Sequence, residues 1–348
     1  MQQICRRDKD GDRASKRGPL GVVPVTNQMW SPIAVVGAGA LGCYFGAVLA
    51  RAGACVTLIG RRVHVEAINR KGLGFESRGR HEFIPVAATE RIAAVSDARL
   101  ILFCVKSNDT DDVAAQMAQY LAPDAVVLSL QNGVDNVERI RLHLKQQVVP
   151  ALVYAAAEMA APGCVRHTGG GNLIIGRLRG ATPQAATRER PLDGLAAFLN
   201  EGGIPVTVSD RIEVELWSKL VMNCAYNAIS ALCGARYGTM VAHPEVRAVM
   251  AEAVAEVSAV AAAKGIRMPD DIVEAAIRLA DGMPVTLSST AQDIRRGRRT
   301  EIDYLNGYVA REGKALGIAT PVNRTLNALV KLLEQGKAEP AAPDAAEP

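Results

Sequence analysis

Ile33-Ala34-Val35-Val36-Gly37-Ala38-Gly39-Ala40-Leu41-Gly42 decides how the N-terminal half of this chain is read. Four apolar residues give a short strand. GAGALG follows, and then an apolar pattern that predicts a helix from about Ala40 to Arg51. Each glycine has a separate reason. Gly37 permits the tight turn off the strand, Gly39 lets backbone approach a pyrophosphate, and Gly42 lets the helix lie against the sheet. The N–H groups at Ala40, Leu41 and Gly42 open the helix and offer partial positive charge to phosphates. A glycine string alone occurs in plain turns. The strand before it and the helix after it make it a dinucleotide site.

The next strand end selects the dinucleotide. Ala54 to Ile59 reads as a strand, and Gly60-Arg61-Arg62 follows where an acid would hold the ribose hydroxyls of NAD. A carboxylate would repel a 2′-phosphate, whereas a guanidinium grips it with two charge-assisted hydrogen bonds. The expectation is therefore NADP(H), with Arg61 on the phosphate and Arg62 against the adenine. The competing reading is a solvated basic helix start. His64 reads as a surface histidine of the helix that follows.

Outward from this point, strands and helices alternate to about residue 208, which predicts a parallel sheet covered on both faces. Val63–Arg70, Asp109–Tyr120, Val134–Leu144 and Leu192–Asn200 read as helices. Leu100–Val105, Val126–Leu130, Val148–Val153 and Pro205–Val208 read as strands, with short strands on either side of Arg78-Gly79-Arg80. Thr168-Gly169-Gly170-Gly171-Asn172 reads as a turn before Leu173. From Ile212 onward only helical periodicity remains, in Ile212–Ser230, Glu245–Ala263, Asp270–Leu279, Thr300–Leu316 and Pro321–Glu334. The expected organisation is a disordered tail over 1–30, an α/β Rossmann-like N-terminal domain over 31–210, an all-α C-terminal domain over 211–336 and a Pro/Ala-rich disordered tail over 337–348. The cleft between the two domains is the default active site.

Composition bounds the function. The chain has 348 residues, 49% of them apolar, enough for two cores. Its formal charge of +4 is mostly local, since residues 1–18 carry six Lys and Arg against three Asp. No nucleic-acid partner is needed to explain it. That stretch lacks the apolar core of a secretory signal and reads as a tail, or as sequence ahead of a start at Met29. No uninterrupted apolar run is long enough to span a membrane. Seven cysteines form no CxxC pair, and five scattered histidines show no metal-ligand spacing, so buried free thiols in the cytoplasm and no metal are expected.

Trp217 to Asn227, WSKLVMNCAYN, carries the chemistry. Lys219, Asn223 and Asn227 are four apart and form one stripe on a helix face among apolar neighbours. Burying such a line without a partner is costly, and asparagine is a poor helix former, so the stripe points to a polar ligand rather than to solvent. A second cluster runs from Ser288-Ser289-Thr290-Ala291-Gln292 to Arg299-Thr300-Glu301. Ser289 reads equally as an N-cap with Gln292 as its capping-box partner, and Thr300 as the cap of the next helix, with Glu301 in its first turn.

From about Ile33 to Leu333 the chain resembles the ketopantoate reductase (2-dehydropantoate 2-reductase) family. GAGALG, the strand end Val105-Lys106, Gln131-Asn132-Gly133, WSKLVMNCAYN and SSTAQDIRRGRRTEIDYLNG carry the resemblance. It implies NADPH-dependent reduction of ketopantoate to D-pantoate, a step toward pantothenate and coenzyme A. It makes Lys219 the general acid and Glu301 the glutamate that assists it and contacts substrate. Asn223, Asn227 and Ser289 match substrate-binding positions. Asn132 matches an asparagine near the nicotinamide and the catalytic lysine, and Lys106 a lysine near cofactor and substrate. The chain departs from the pattern at Gln131, where the best-known members carry histidine. Alternatives that stay open are a reductase of another 2-keto acid, a non-catalytic NADP-binding sensor, and a homodimer surface built on the helical half.

Overall fold

The computed structural model describes residues 29–179 and 190–336. The described residues divide into two compact units. The first takes in the residues up to Gln131 and Asn136–Ile212; the second takes in Asn132–Asp135 and the residues from Glu213 on.

The first unit is a Rossmann-like layer structure. Its strands are β1 (Ile33–Val36), β2 (Val56–Ile59), β3 (Leu73–Ser77), β4 (Arg80–Ile84), β5 (Ala87–Thr89), β6 (Leu100–Phe103), β7 (Val126–Ser129), β8 (Gln147–Ala161), β9 (Cys164–Gly176) and β10 (Val206–Ser209). Its helices are α1 (Ala40–Arg51), α2 (Arg62–Lys71), α3 (Thr110–Ala118), α4 (Asn136–His143) and α5 (Leu192–Glu201). The sheet order is β4-β3-β9-β8-β7-β6-β1-β2-β5, with β10 beside β9. β1 pairs in parallel with β2 on one side and β6 on the other. The chain thus winds away from β1 in both directions, and the loop leaving β1 opens at the switch point where such sheets bind ligands.

The continuous apolar runs have the expected cause. Ile33 and Val35 face one core with α1 and α5, while Ala34 and Val36 face a second core with α3 and α4. Leu100 and Leu102 divide from Ile101 and Phe103 in the same way. Strands covered on both faces need apolar residues at every position.

Several expectations require correction. The sheet is mixed: β8 runs parallel to β7 and antiparallel to β9, and β3 and β4 form an antiparallel hairpin. β8 extends well past Val153, to Ala161. The stretch Thr168–Asn172 is not a turn but part of β9, where the register with β8 shifts. Gly171 has φ +126, and a Cβ there would sit 2.2 Å from the Tyr44 hydroxyl. The glycines mark a bulged strand passing under Tyr44 rather than a reversal of the chain. His64 is buried and accepts a bond from the Gly163 N–H at 3.3 Å, so it is not a surface residue. The expected terminal tails lie outside the described residues except for Met29 and Trp30. Trp30 is 1% exposed, within the core, with the Arg190 guanidinium 5.3 Å from its ring centre.

Among the described residues, the regular elements of the second unit are all helices: α6 (Ile212–Cys233), which begins at the last residue of the first unit, α7 (Tyr237–Ala242), α8 (Pro244–Ala263), α9 (Ile272–Gly282), α10 (Ser289–Arg295), α11 (Asn306–Leu316) and α12 (Pro321–Gly336). Leu220, Val221, Cys224, Ala225, Tyr226 and Ala228 of α6 all enter the core, so α6 is buried on most of its circumference. The continuous helix expected over Thr300–Leu316 is instead a 3₁₀ turn at Ile302–Tyr304 and then α11. α7 was not legible in the sequence. No helix among the described residues is long and apolar enough to cross a membrane. None of the described cysteines is in a disulfide; Cys43 and Cys224 are buried, but Cys233 is exposed, against the expectation of buried thiols.

Candidate functional site

In the first unit, the glycine loop is built by close approach of backbone to backbone. Gly37 has φ +104, and a Cβ there would lie 2.7 Å from the backbone of Cys104 and Val105. The turn therefore lies against the end of β6, one residue before Lys106. A Cβ on Gly42 would lie 2.2 Å from the Gly37 carbonyl oxygen, so α1 starts directly over the turn it leaves. The Cβ position of Gly39 faces open space. Gly39 is also the N-cap of α1, and it supplies no side-chain bond to the first turn at Ala40, Leu41 and Gly42. No acid lies in that turn. Open room beside uncapped N–H groups fits a dinucleotide pyrophosphate.

β2 delivers Arg61 to this loop. The Gly37 and Ala38 N–H groups both donate to the Ile59 carbonyl at 2.9 Å. Arg61 then caps α2 with its side chain exposed. Arg62 donates to Glu66 at 2.7 Å, an i,i+4 pair on the surface. The two arginines thus have different surroundings, and Arg61 stands next to the glycine loop.

Gln131 acquires a definite role. Its Nε2 donates to the Val105 carbonyl at 3.0 Å and to Thr110 Oγ1 at 2.7 Å, and its Oε1 accepts from Ser129 Oγ at 3.1 Å. Thr110 donates to Asn136 at 3.0 Å. This buried network ties the end of β7 to the β6–α3 connection that carries Lys106. Buried amides are costly unless satisfied, and here every contact fixes a loop. Nothing in the local pattern of Gln131 signals this, because its partners lie on other elements.

In the second unit, α6 places Lys219, Asn223 and Asn227 on successive turns. Lys219 and Asn223 are half-buried, and Asn227 is 3% exposed, so the stripe is not a solvated face. Burial pushes the Lys219 amine down from 10.5 to about 8, and the negative charge of Glu301 opposes that shift. Glu301, half-buried, is thereby brought into electrostatic range of Lys219 from 82 residues further along the chain.

The Ser288–Ser289 pair is assigned differently from the expectation. Ser288 is the N-cap of α10: its Oγ accepts from the Ala291 N–H at 3.0 Å and donates to the Asn227 carbonyl at 3.2 Å. Its own N–H donates to Ser230 Oγ at 3.3 Å. Ser289 begins the helix and is exposed. Gln292 does not close a capping box but donates to the Leu287 carbonyl at 3.0 Å. α10 is thus pinned to the stripe through Ser288, and Ser289 follows directly. Thr300 Oγ1 accepts from the Ile302 N–H at 3.2 Å, but the N-cap residue of the 3₁₀ turn is Glu301, so Glu301 precedes the turn rather than lying in its first turn.

A further set escaped the sequence reading. Asn306 Nδ2 donates to the Cys224 carbonyl at 3.1 Å and to Asn323 Oδ1 at 2.9 Å. Asn323 donates to Glu256 at 2.7 Å and to the Ala253 carbonyl at 3.1 Å. These fully buried amides join α6 to α8, α11 and α12, beside the residue next to Asn223. A run of isolated asparagines on separate helices was the only trace of them.

Comparison with known proteins agrees with this architecture. The family described as ketopantoate reductase PanE/ApbA matches residues 33–180, and its C-terminal counterpart matches residues 211–334. The 2-dehydropantoate 2-reductase of Halobacterium salinarum is 35% identical over 87% of this chain and 99% of its own. That of Pyrococcus horikoshii is 33% identical over 87% and 97%. A PanE/ApbA family ketopantoate reductase from Ralstonia eutropha superposes with TM-score 0.82 at 47% identity, covering 88% of this chain and 99% of that one. D-mandelate dehydrogenase, solved with NADH and anilino(oxo)acetate, superposes with TM-score 0.81 at 26% identity, covering 88% and 99%. The chain belongs to the ketopantoate reductase family.

Proposed function

We propose that this member of the ketopantoate reductase family reduces ketopantoate to D-pantoate with NADPH, in the cytoplasm, as a step toward pantothenate and coenzyme A. The observation that carries the reading is the half-buried Lys219 amine, brought to about 8 by burial and countered by Glu301. Reduction of a ketone places negative charge on its oxygen, and that oxygen must then take a proton. An ammonium whose proton is held this loosely serves both needs at neutral pH.

NADPH bound at the glycine loop supplies the hydride. Its pyrophosphate is assigned to the first turn of α1 at Gly39, Ala40, Leu41 and Gly42, beside Gly37, and its 2′-phosphate to Arg61. Lys219 gives its proton to the ketone oxygen and recovers one from solvent after release. Glu301 keeps the amine charged until the proton is needed. Asn223, Asn227 and Ser289 are assigned to the carboxylate and hydroxyl groups of the substrate. Asn132 and Lys106 are assigned to the region where cofactor and substrate meet.

NADPH oxidation followed with ketopantoate, with NADH run beside it, tests the whole reading. Lys219→Ala is expected to lose about 10²-fold or more in turnover; an unchanged rate removes the lysine from the mechanism.

A second reading is favoured by the likeness to D-mandelate dehydrogenase. It is the reduction of a different 2-keto acid, with NADH. A panel of 2-keto acids with both nucleotides separates the two, since only the first reading expects ketopantoate with NADPH to give the highest kcat/KM.

A further inference from the structure

On the solvent face of the sheet, Glu76 on β3, His81 on β4 and Cys164 on β9 bring one carboxylate, one imidazole and one thiol together, their ligand atoms all within 4.8 Å of one another. We propose that these three residues form a binding site for a divalent transition metal of the zinc type, with its fourth position open to water or a small anion.

The geometry follows from strand register. Glu76 lies directly opposite His81 in the antiparallel β3–β4 pair. Cys164 lies opposite Gly74 in the parallel β3–β9 pair, two residues from Glu76 and on the same face. A Cβ at Gly74 would come within 3.0 Å of Cys164 Sγ and 3.1 Å of its Cβ. The glycine therefore leaves the space that the sulfur occupies as it leans toward the Glu76–His81 pair. Cys164 Sγ is 3.7 Å from Glu76 Oε1 and 3.9 Å from His81 Nε2. A tetrahedral zinc ion, with bonds of about 2.0–2.3 Å, spaces its ligand atoms about 3.3–3.6 Å apart. Closing the two sulfur separations by a few tenths of an ångström, and bringing the Glu76 and His81 ligand atoms in from within 4.8 Å to the same spacing, makes three corners of that tetrahedron.

The surroundings support the same reading. Glu76 offers Oε1 to the cluster while its Oε2 accepts from Arg166 at 2.6 Å, so the carboxylate is oriented by an outer partner. Arg166 also donates to Glu158 at 3.2 Å. With Cys164 ionised, one thiolate and two carboxylates face one guanidinium, leaving a double negative charge to match a divalent cation. Mixed sulfur, nitrogen and oxygen donors select zinc and its neighbours over calcium or magnesium, which take oxygen alone. Binding exchanges the Cys164 S–H bond for a sulfur–metal bond and releases the proton to solvent. The metal would fasten β4, an edge strand exposed along most of its length, to β3 and β9.

The test is titration of the chelator-treated full chain with Co²⁺, read by thiolate-to-cobalt charge-transfer absorption in the near ultraviolet. One Co²⁺ per chain is expected, with a band that added Zn²⁺ bleaches. Cys164→Ser should abolish the band, whereas Cys233→Ser, at an exposed cysteine elsewhere, should leave it. His81→Ala should weaken Co²⁺ affinity at least about 10-fold, the smallest loss usual even for an outer-shell partner. No saturable band in the unmodified chain, a band surviving in Cys164→Ser, or unchanged affinity in His81→Ala overturns the assignment. A second measurement needs no variant: Zn²⁺ should slow iodoacetamide labelling of Cys164 about 10-fold or more, read by peptide mass spectrometry, as ligation weakens the sulfur nucleophile. Equal labelling rates with and without Zn²⁺ also overturn it.

Discussion

Replacing Lys219 with methionine separates the lysine's catalytic value from its cost to the fold. Holding an amine at about 8 instead of 10.5 means that the folded protein disfavours the ammonium by about 3 kcal/mol at neutral pH. The side chain keeps part of its solvent contact, so this is an upper figure. The sign follows from proton counting. Between pH 8 and 10.5 the unfolded chain holds a proton on Lys219 that the folded chain has released, so wild-type stability rises with pH across that window. Lys219→Met has no such group, and its stability lacks this rise. The difference between variant and wild type, measured by urea unfolding at pH 7 and again near pH 10.5, should therefore shift toward the wild type by up to about 3 kcal/mol. Terms that do not titrate in the window, such as side-chain packing, cancel in that comparison, and the attraction to Glu301 is already contained in the net shift of the amine. A difference that stays flat across the window would refute the claim that the amine is held in a desolvated place, and the acid mechanism would lose its physical basis.

If Lys219 is the proton donor, kcat/KM for reduction should be level below about pH 8 and fall tenfold per pH unit above it, because only the ammonium can act. Glu301→Gln removes the charge that raises the amine's pKa, so the inflection should move to lower pH; a profile that keeps its midpoint would detach Glu301 from Lys219. Arg61→Ala should raise KM for NADPH about 10–100-fold, as the loss of about 1.5–3 kcal/mol of charged hydrogen bonding implies, and leave KM for NADH unchanged. Ser288→Ala removes both the α10 cap and the bond to the Asn227 carbonyl. Denaturant unfolding should show a loss of about 1–2 kcal/mol, together with a raised KM for the keto acid.

The elements that could be read from sequence were those whose burial is uniform or strictly periodic. β1, β6 and β7 are covered on both faces and are written as unbroken apolar runs, while α1 has its glycine entry and its apolar face within one short stretch. β8 and β9 failed for the opposite reason. Ala155-Ala156-Ala157 and Gly169-Gly170-Gly171 have little intrinsic preference for strand, and they are held in the sheet by pairing with each other across the hairpin. Their strand character belongs to the partner as much as to themselves. The same holds for α7, a helix of six residues whose start is fixed by bonds from the Tyr237 and Gly238 N–H groups to the Thr286 and Pro284 carbonyls of the α9–α10 connection.

The site divides along the same line. Lys219, Asn223 and Asn227 were visible because one helix carries all three at a spacing that only a shared face explains. Ser289 reads as the cap where Ser288 holds that place, because both residues stand at the start of a helix; what decides is that Ser288 also meets the Asn227 carbonyl and Ser230, 61 and 58 residues away in sequence. Glu76, His81 and Cys164 carry no mark in the sequence for the same reason. His81 and Cys164 are 83 residues apart, and no ligand-spacing rule spans that distance. A sheet, however, converts sequence distance into adjacency wherever a late strand pairs with an early one. In this fold β9 returns to lie beside β3, which places residues of the first hundred next to those beyond 160 along a shared face. A search for ligand clusters in such chains should therefore follow strand register rather than linear spacing, and a glycine opposite a cysteine across the ladder is the local mark to look for.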